Sequence, residues 1–270
     1  MITPVTLIDS HVHFQNCFTL ETFLWNSYSN FKRNAEKIGS NKNFNSFLFL
    51  TDGYEEGYKR ILKSINRDLY YSGNKISLIK SADEESINVK INDSNIYIIP
   101  GKQIITKENL EVLVVGSNKT SSKKTDVYST IRDLSKSGNL VILPLGIGKW
   151  LGKRGLIVDD IIKKGLISFL GDNGGVSSFI KSPRQFESAK NLEIRILPGT
   201  DPLPIKSEID RPGSFGFFLK ECKIDKNKPF SSLLTCLKIP QKEIISYGHR
   251  ISFLNLIKYQ IYMRYLKFTK

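Results

Sequence analysis

Cysteine is scarce in this chain of 270 residues, and long apolar runs are missing. The three cysteines, Cys17, Cys222 and Cys236, are odd in number and far apart, which predicts neither a disulfide framework nor a cysteine metal cluster. No stretch approaches the roughly 18–20 uninterrupted apolar residues that a membrane span needs. The N-terminus shows no basic segment followed by an apolar run, so no signal peptide is expected. We therefore expect a cytoplasmic protein in a reducing environment.

Acidic residues are few relative to basic ones, 26 against 40, which gives a net charge of +14. Such an excess is compatible with a nucleic acid, an anionic membrane surface or a phosphorylated substrate as a partner. The basic residues are spread along the chain, apart from a lysine-rich loop at 118–126 and an acid-free stretch after Glu243. A spread lysine excess is more typical of a solvated surface than of a binding groove. A small anionic substrate is therefore favoured over nucleic acid.

Seven short apolar runs each end in a polar or glycine-containing turn, which is typical of strands buried on both faces of a parallel sheet. They lie at 6–13, 47–53, 96–103, 111–117, 140–146, 166–173 and 194–201. Segments with helical character alternate with them, at 21–36, 55–67, 127–137, 158–164 and 184–190. This alternation predicts an α/β fold, most simply a distorted (β/α) barrel of about seven strands. An open doubly wound sheet is the alternative, although no G-x-G-x-x-G follows the first strand.

The chain after Pro202 is less regular, which predicts a C-terminal helical extension, 206–270, packed on a barrel domain, 1–205. Before the third main strand, the segment 75–99 predicts a hairpin-like excursion. In the last helix, residues at i, i+3 and i+4 spacing form an apolar stripe beside a basic face: Leu254, Ile257, Ile261, Tyr265 and Phe268. Such a basic amphipathic helix most often closes the domain, and contact with an anionic membrane surface is the alternative.

Two of the three histidines, His11 and His13, lie one residue apart behind Asp9 in the segment LIDSHVHF. In a strand, residues two apart point to the same side, so both imidazoles can face one point. Neutral imidazole binds zinc or iron, and two such ligands form half of a metal site. Two hydrogen-bonded loop histidines would have the same spacing, so the pair alone leaves both interpretations open.

Further polar residues follow the other predicted strands: Asp52, Gln103, Asp172 and Asp201. A single aspartate after a strand is usually a turn or cap residue. In a barrel, however, these positions share one rim with the histidine pair. Carboxylates beside two imidazoles would complete the coordination of a metal that activates water near neutral pH. We therefore interpret the rim as a site for a divalent metal ion: zinc, manganese or iron.

The order of these segments resembles that of the polymerase and histidinol phosphatase (PHP) family of metal-dependent phosphoesterases, which are themselves similar to amidohydrolases. The family's opening motif, D-x-H-x-H, is matched by residues 9–13, and its T-D-H motif by residues 51–53 without the histidine. Its P-G-x-E motif is similar to residues 100–103, its E-V-H motif to residues 111–113, and its G-[ST]-D-x-H motif to residues 199–203. The resemblance covers roughly 7–201 and implies a metal-dependent hydrolase with its site at a barrel mouth.

By this resemblance, His11, His13 and Asp201 are metal ligands, and Asp52 orients one histidine or joins the ligands. Gln103 stands where the family has a metal-bridging glutamate, so it offers a neutral oxygen as a ligand. Leu113 stands where the family has a histidine and offers none. The departures imply a site for one metal rather than the family's cluster of two or three.

Cations and amides near the rim are candidates for substrate binding. Lys149 and Arg154, in the glycine-containing segment 146–155, are predicted to hold the anionic end of the substrate, a solvated loop being the alternative. Asn173 can hold metal, water or substrate. Arg211 is predicted either to reach the substrate or to pair with Glu208.

Two carboxylates are candidates for the catalytic step. Asp201 is predicted to act as third ligand or as general base, and Asp172 is the second candidate. The third histidine, His249, is more typical of a cap or surface residue than of a ligand.

We expect a metal-dependent hydrolase that most resembles a phosphoesterase, with an amide or lactone as the alternative substrate. The competing hypothesis is a barrel that has lost catalysis and serves as a binding or scaffolding protein, since several of the family's ligands are replaced. Metal content of the purified protein discriminates between the two.

Overall fold

The computed structural model describes residues 5–40, 44–53, 56–117, 125–146, 148–179 and 181–268, with side chains as far as residue 264. Most of the lysine-rich loop at 118–126 lies outside the described residues. The strands are β1 (Val5–Val12), β2 (Phe44–Asp52), β3 (Asp68–Tyr71), β4 (Asn74–Lys80), β5 (Ile87–Ile91), β6 (Ser94–Ile105), β7 (Glu111–Val115), β8 (Leu140–Pro144), β9 (Phe169–Asn173), β10 (Arg195–Gly199), β11 (Gly216–Lys220) and β12 (Ile245–Tyr247). The helices are α1 (Leu20–Lys37), α2 (Gly57–Leu62), α3 (Val127–Lys136), α4 (Gly152–Lys163), α5 (Arg184–Asn191), α6 (Pro229–Leu237) and α7 (Phe253–Phe268), with a 3₁₀ helix at Lys206–Asp210.

The seven predicted main strands are present and form a nearly closed, barrel-like sheet in a mixed α/β protein. Neighbouring strands follow the order β10-β9-β8-β7-β6-β2-β1-β11-β12. Strand β10 returns to β1, where Ser10 Oγ donates hydrogen bonds to the carbonyls of Leu197 (3.0 Å) and Pro198 (2.9 Å). The α/β class is confirmed, and the sheet is barrel-like without being a regular seven-stranded (β/α) barrel.

The expectation of an all-parallel sheet is wrong at β7. This strand runs antiparallel to β6 and to β8, because only a short turn joins it to β6. As a result, one end of the sheet carries the carboxyl ends of β1, β2, β6, β8, β9 and β10 together with the amino end of β7. We call this end the mouth.

The excursion before the third main strand is confirmed. Strands β3, β4 and β5 form an antiparallel meander, and β5 joins the main sheet by pairing with β6. Alternate residues of β2 face opposite sides, as the pleat requires. Phe47 and Phe49 pack inside the barrel with Tyr97, whereas Leu48 and Leu50 pack outside it in one cluster with α1.

Two strands and a helix after residue 205 belong to the same sheet and core. Strand β11 pairs antiparallel with β1, and β12 pairs with β11. Helix α6 contributes Phe230 and Leu233 to the barrel interior at the end opposite the mouth, where the Phe230 ring lies against Gly116. The division at residue 205 stays a prediction.

The expectation that the cysteines form no disulfide is wrong. Cys222, just after β11, is joined to Cys236 in α6, and both are buried. The sequence separation gave no sign of this pairing because it depends on how α6 packs across the barrel. The cytoplasmic location stays a prediction. Unpaired cysteines would have supported it, because disulfides are rare in a reducing compartment, and the Cys222–Cys236 pair removes that support.

Helix α7 does not pack its predicted apolar stripe against the domain. Leu254, Ile257 and Ile261 are exposed, and the helix contacts the domain through Tyr259 on its other side. The side chains of Tyr265 and Phe268 lie outside the described part of the chain. Among the residues described, no helix is both long enough and apolar enough to cross a membrane.

Candidate metal centre

The paired histidines meet at the end of β1. Strand β1 ends at Val12, with a register shift against β2 between Asp9 and Val12, and the side chains of His11 and His13 reach the same point, as predicted. Their Nε2 atoms lie 3.1 Å apart. The side chain of His11 is 4 % exposed and that of His13 is 15 % exposed, so the pair opens to solvent only on the His13 side.

Asp201 comes to the same point from β10. Its Oδ1 lies 3.1 Å from Nε2 of His13 and 3.5 Å from Nε2 of His11. The backbone N–H of Asp201 donates to the carbonyl of His11 at 2.7 Å, and its φ of +46° turns the side chain toward the histidines. Aspartate tolerates this left-handed backbone better than most residues do.

The three residues form a group that can hold a metal ion, since their ligand atoms all lie within 4.8 Å of one another. Two ligand atoms each about 2.1 Å from one ion are about 3.0–3.4 Å apart at angles between octahedral and tetrahedral. The 3.1 Å between the imidazoles and the 3.1 Å between His13 and Asp201 fall in this range, and the 3.5 Å between His11 and Asp201 lies just above it. Two imidazole nitrogens and a carboxylate oxygen are also the donor types that zinc, manganese and iron accept.

The charge states of His11 and Asp201 suit metal binding, whereas at His13 a metal ion has to displace a proton. Burial lowers the pKa of His11, so that imidazole is neutral and free to coordinate. Burial would also lower the pKa of His13, but the hydrogen bond and charge of Asp201 outweigh it and raise that pKa. Burial opposes ionisation of Asp201, yet the neighbouring imidazoles and Asn173 hold its pKa well below its usual range.

Asp9 fixes the two strand ends that carry the ligands. Its carboxylate is fully buried and accepts hydrogen bonds from Thr200 N (2.8 Å), Thr200 Oγ1 (2.7 Å) and Gly213 N (2.8 Å). Burial raises its pKa to about 6. The first acid of the D-x-H-x-H segment therefore positions the ligands rather than joining them.

Gly199 lets β10 approach β1 closely. A Cβ at this position would contact the backbone nitrogen of His11 and lie 2.8 Å from its Cβ. Because backbone cannot move aside, Gly199→Ala is expected to displace the end of β10 from His11 and to destabilise the fold by about 1–3 kcal/mol. Isothermal titration with Zn²⁺ should show weaker binding, since Asp201 would move with the strand.

Gly53→Ala is the matched control, because a Cβ at residue 53 meets nothing within 4 Å. If Gly199→Ala binds Zn²⁺ as tightly as the Gly53→Ala protein does, the close approach of β10 is not what aligns the ligands.

Gln103 lies beside the histidines as predicted. Its Oε1 is 3.1 Å from Nε2 of His11, a distance at which a neutral oxygen can serve as a further ligand. Its Nε2 donates to Glu111 Oε1 at 3.0 Å. Leu113, opposite Gln103 in the β6–β7 register, packs in the barrel interior instead.

Glu111 is a site residue that the sequence patterns did not predict. It lies at the start of β7, and only carboxyl ends were expected at the mouth. Its charge acts on both histidines, and its carboxylate forms an ion pair with Lys149. Lys149 is therefore at the mouth, as predicted, but Glu111 holds its ammonium. The E-V-L segment was the signal that could have identified Glu111.

Asp52 lies near the cluster without joining the three convergent ligands. Its Oδ2 accepts a hydrogen bond from the backbone N–H of Tyr58 at 2.8 Å. Burial raises its pKa, while the charge of nearby His13 acts in the opposite direction. Its predicted role as orienter or ligand stays a prediction.

Asn173 and Asp172 end β9 but face different surroundings. Asn173 Nδ2 donates to Asp201 Oδ2 at 2.5 Å, so it holds the ligand. Asp172 is bound instead by Arg250, whose Nε and Nη2 lie 2.7 and 2.6 Å from Oδ1. It lines a crevice of about 1400 Å³ between α5, β10 and the segment 237–246, and no other residue predicted for the site does so.

Two predicted substrate-binding arginines contact protein groups. Arg211 donates to Glu208 (3.3 Å) and to the carbonyl of Gly174 (3.0 Å), which is the pairing named as the alternative. Arg154 donates to the carbonyl of Gly148 at 3.0 Å. His249 is exposed, as expected for a surface residue.

Comparison with known proteins gives likenesses of structure only. No family model matches the sequence, and no curated protein matches it. The crystal structure of PsfC from Pseudomonas syringae PB-5123 is similar with a TM-score of 0.54 at 12 % identity, over 97 % of this chain and 99 % of that one. An endonuclease Q, solved with a duplex bearing an abasic lesion, has a TM-score of 0.49 at 11 % identity, over 94 % of this chain and 66 % of that one. At such identities the likeness to PsfC shows a shared fold and nothing more.

Proposed function

We propose that the protein is a metal-dependent hydrolase of phosphoesters that uses one divalent metal ion, zinc, manganese or iron. The observation that supports this proposal most is the convergence of His11, His13 and Asp201 at the mouth, with spacings that suit one ion. The order of the PHP-like segments supports the phosphoester class. When bound, the metal would polarise the substrate and lower the pKa of water.

The residues around the ligands have separate tasks in this proposal. Asn173 orients Asp201, and Gln103 offers a further oxygen toward His11. Lys149 is one-third exposed at the mouth, so its ammonium can bind the anionic group of a small substrate while Glu111 positions it. Asp172, Arg154 and Arg211 are not assigned a catalytic or substrate-binding task, because their side chains are engaged elsewhere.

The test is hydrolysis of p-nitrophenyl phosphate and bis(p-nitrophenyl) phosphate by protein loaded with Zn²⁺, Mn²⁺ or Fe²⁺. We expect turnover that a chelator abolishes and added metal restores. Asp201→Ala should lower kcat/KM about 1000-fold or more, because metal ions supply several kcal/mol of transition-state stabilisation. Asp93→Ala, in an exposed turn, is the control and should leave kcat/KM unchanged.

A binding or scaffolding protein is the second candidate, and one observation favours it. The ion pair with Lys149 neutralises Glu111, and Gln103 carries no charge, so the mouth has less negative charge to hold metal than a carboxylate-rich site. A protein that binds metal but hydrolyses neither ester would support this candidate. A protein that binds no metal after reconstitution would contradict the hydrolase.

A further inference from the structure

Helix α7 presents large apolar side chains to solvent along one side. Leu254 is 77 % exposed, Ile261 is 65 % exposed, and Phe253 and Ile257 are also exposed. At 100° per residue these four positions share one side of the helix, roughly opposite Tyr259. Tyr259 is 7 % exposed and contacts Glu208, so this side of the helix already packs against the domain. Nothing in the described part of the chain covers the other side.

A further exposed aromatic residue lies at the base of α7. The backbone N–H of Ser178 donates to the carbonyl of Ile251 at 2.9 Å, which places Phe179 beside the start of the helix. Phe179 is 82 % exposed. We call Phe179, Phe253, Leu254, Ile257 and Ile261 together the α7 patch. Contiguous exposed apolar residues of this kind mark an interaction surface.

The charged side chains described on α7 itself are both cationic. Lys258 and Arg264 are exposed on α7. On a helical projection Lys258 borders the apolar stripe next to Leu254, and Arg264 continues the stripe three residues beyond Ile261. No acidic residue follows Glu243 in the sequence. An apolar stripe with one cation along its side and another at its end fits a surface that is apolar within and negatively charged at its boundary.

We propose that the α7 patch binds the surface of an anionic lipid bilayer, with α7 lying in the plane of the headgroups. The apolar side chains would enter the boundary between headgroups and acyl chains, and Lys258 and Arg264 would contact lipid phosphates. A second copy of the chain is disfavoured as the occupant, because each copy carries a net charge of +14 and the same cations around the patch. In this mode of binding, α7 lies on the bilayer and does not cross it.

The α7 patch is tied to the mouth of the barrel. Ile251 N donates to the carbonyl of Gly174 at 3.0 Å, one residue beyond Asn173, and Arg250 binds Asp172. The bound bilayer would therefore lie beside the loop that holds Asp201. Lipid binding is nevertheless independent of the proposed hydrolase activity, because no residue of the patch belongs to the metal centre.

Co-sedimentation with vesicles tests the proposal. Wild-type protein should bind vesicles of phosphatidylcholine mixed with phosphatidylglycerol and should bind phosphatidylcholine alone far less. Leu254→Ser/Ile261→Ser should weaken binding at least about tenfold, since two apolar side chains no longer enter the boundary. Leu156→Ser/Leu192→Ser, which changes two exposed leucines outside the patch, should bind like wild type.

The cations are tested in the same assay. Lys258→Gln/Arg264→Gln should weaken binding to the anionic vesicles about 30-fold, from about 1 kcal/mol for each charge near the surface. Lys153→Gln/Lys226→Gln, which removes two exposed cations elsewhere, is the matched control. All these variants change exposed side chains, so circular dichroism and thermal unfolding should match wild type.

Three results would overturn the proposal. The first is wild-type protein that does not sediment with the anionic vesicles, and the second is equal binding by the patch variants and their controls. The third is light scattering that shows a dimer of the wild type and a monomer of Leu254→Ser/Ile261→Ser, which would identify a second copy as the occupant. Metal content, measured on the same preparations, bears on the hydrolase proposal alone.

Discussion

His11→Ala/His13→Ala protein is expected to bind Zn²⁺ about 10⁴-fold more weakly than wild type. Structural zinc sites with four ligands are worth about 10–16 kcal/mol, or about 3 kcal/mol per ligand, so two ligands account for about 6 kcal/mol. Both imidazole Nε2 atoms lie at the point where Asp201 converges, and the oxygen of Gln103 beside His11 is neutral, so it does not replace an imidazole. Competition with a chromogenic chelator and elemental analysis of the purified protein measure the loss.

The third histidine supplies the control. His249→Ala changes an exposed side chain and should leave affinity and stoichiometry as in wild type. If the loss of buried His11 prevents folding, His13→Ala alone replaces the double variant in this test. It should bind Zn²⁺ about 100-fold more weakly than wild type. Retention of one equivalent of Zn²⁺ by the double variant, with circular dichroism unchanged, would show that the ion binds elsewhere.

Asp9→Ala is expected to give the largest loss of folding stability, about 3–5 kcal/mol in the free energy of unfolding. The carboxylate is fully buried and accepts hydrogen bonds from the backbone N–H groups of Thr200 and Gly213 and from the Thr200 hydroxyl. Removing the acceptor leaves these buried donors unpaired, and each unsatisfied group costs about 1–3 kcal/mol. Urea unfolding at pH 8, where the carboxylate is ionised, measures the change.

Asp210→Ala is the comparison for Asp9→Ala. The carboxylate of Asp210 accepts a hydrogen bond from Asn26 Nδ2 at 2.7 Å on the surface, so its loss should cost no more than about 1 kcal/mol. Thermal unfolding of Asp9→Ala should shift down by about 6–20 °C. Equal effects of the two variants would show that Asp9 does not join the ends of β1 and β10 as the hydrogen bonds indicate.

Local sequence patterns were sufficient to predict most elements of the barrel, but not β11, β12 and α6, which complete its sheet and core. Continuous apolar runs predicted the seven main strands, and the helical segments between them correspond to α1 through α5. The period of two along β1 predicted that His11 and His13 share a side. Such predictions hold because strand and helix geometry repeats within a few residues.

Strand direction and side-chain partners were not predictable in the same way. The expectation that every strand ends at the mouth held for β1, β2, β6, β8, β9 and β10 and failed for β7, so Glu111 was overlooked. Asp172 was expected at the rim, but Arg250, which is 78 residues away, binds it. Whether an aspartate faces a metal or an arginine depends on segments that are distant in the chain.

The sequence by itself determined the seven main strands, the helices between them and the pairing of His11 with His13, because hydrophobic periodicity and short motifs encode local geometry. The meeting of this pair with Asp201 was an expectation from the predicted barrel and the family resemblance. Only the tertiary structure decided that β7 is reversed, that Cys222 and Cys236 are joined, that Glu111 holds Lys149 and that α7 turns its apolar stripe outward. Each of these depends on which distant segments pack together, and packing is set by the whole chain rather than by its local patterns.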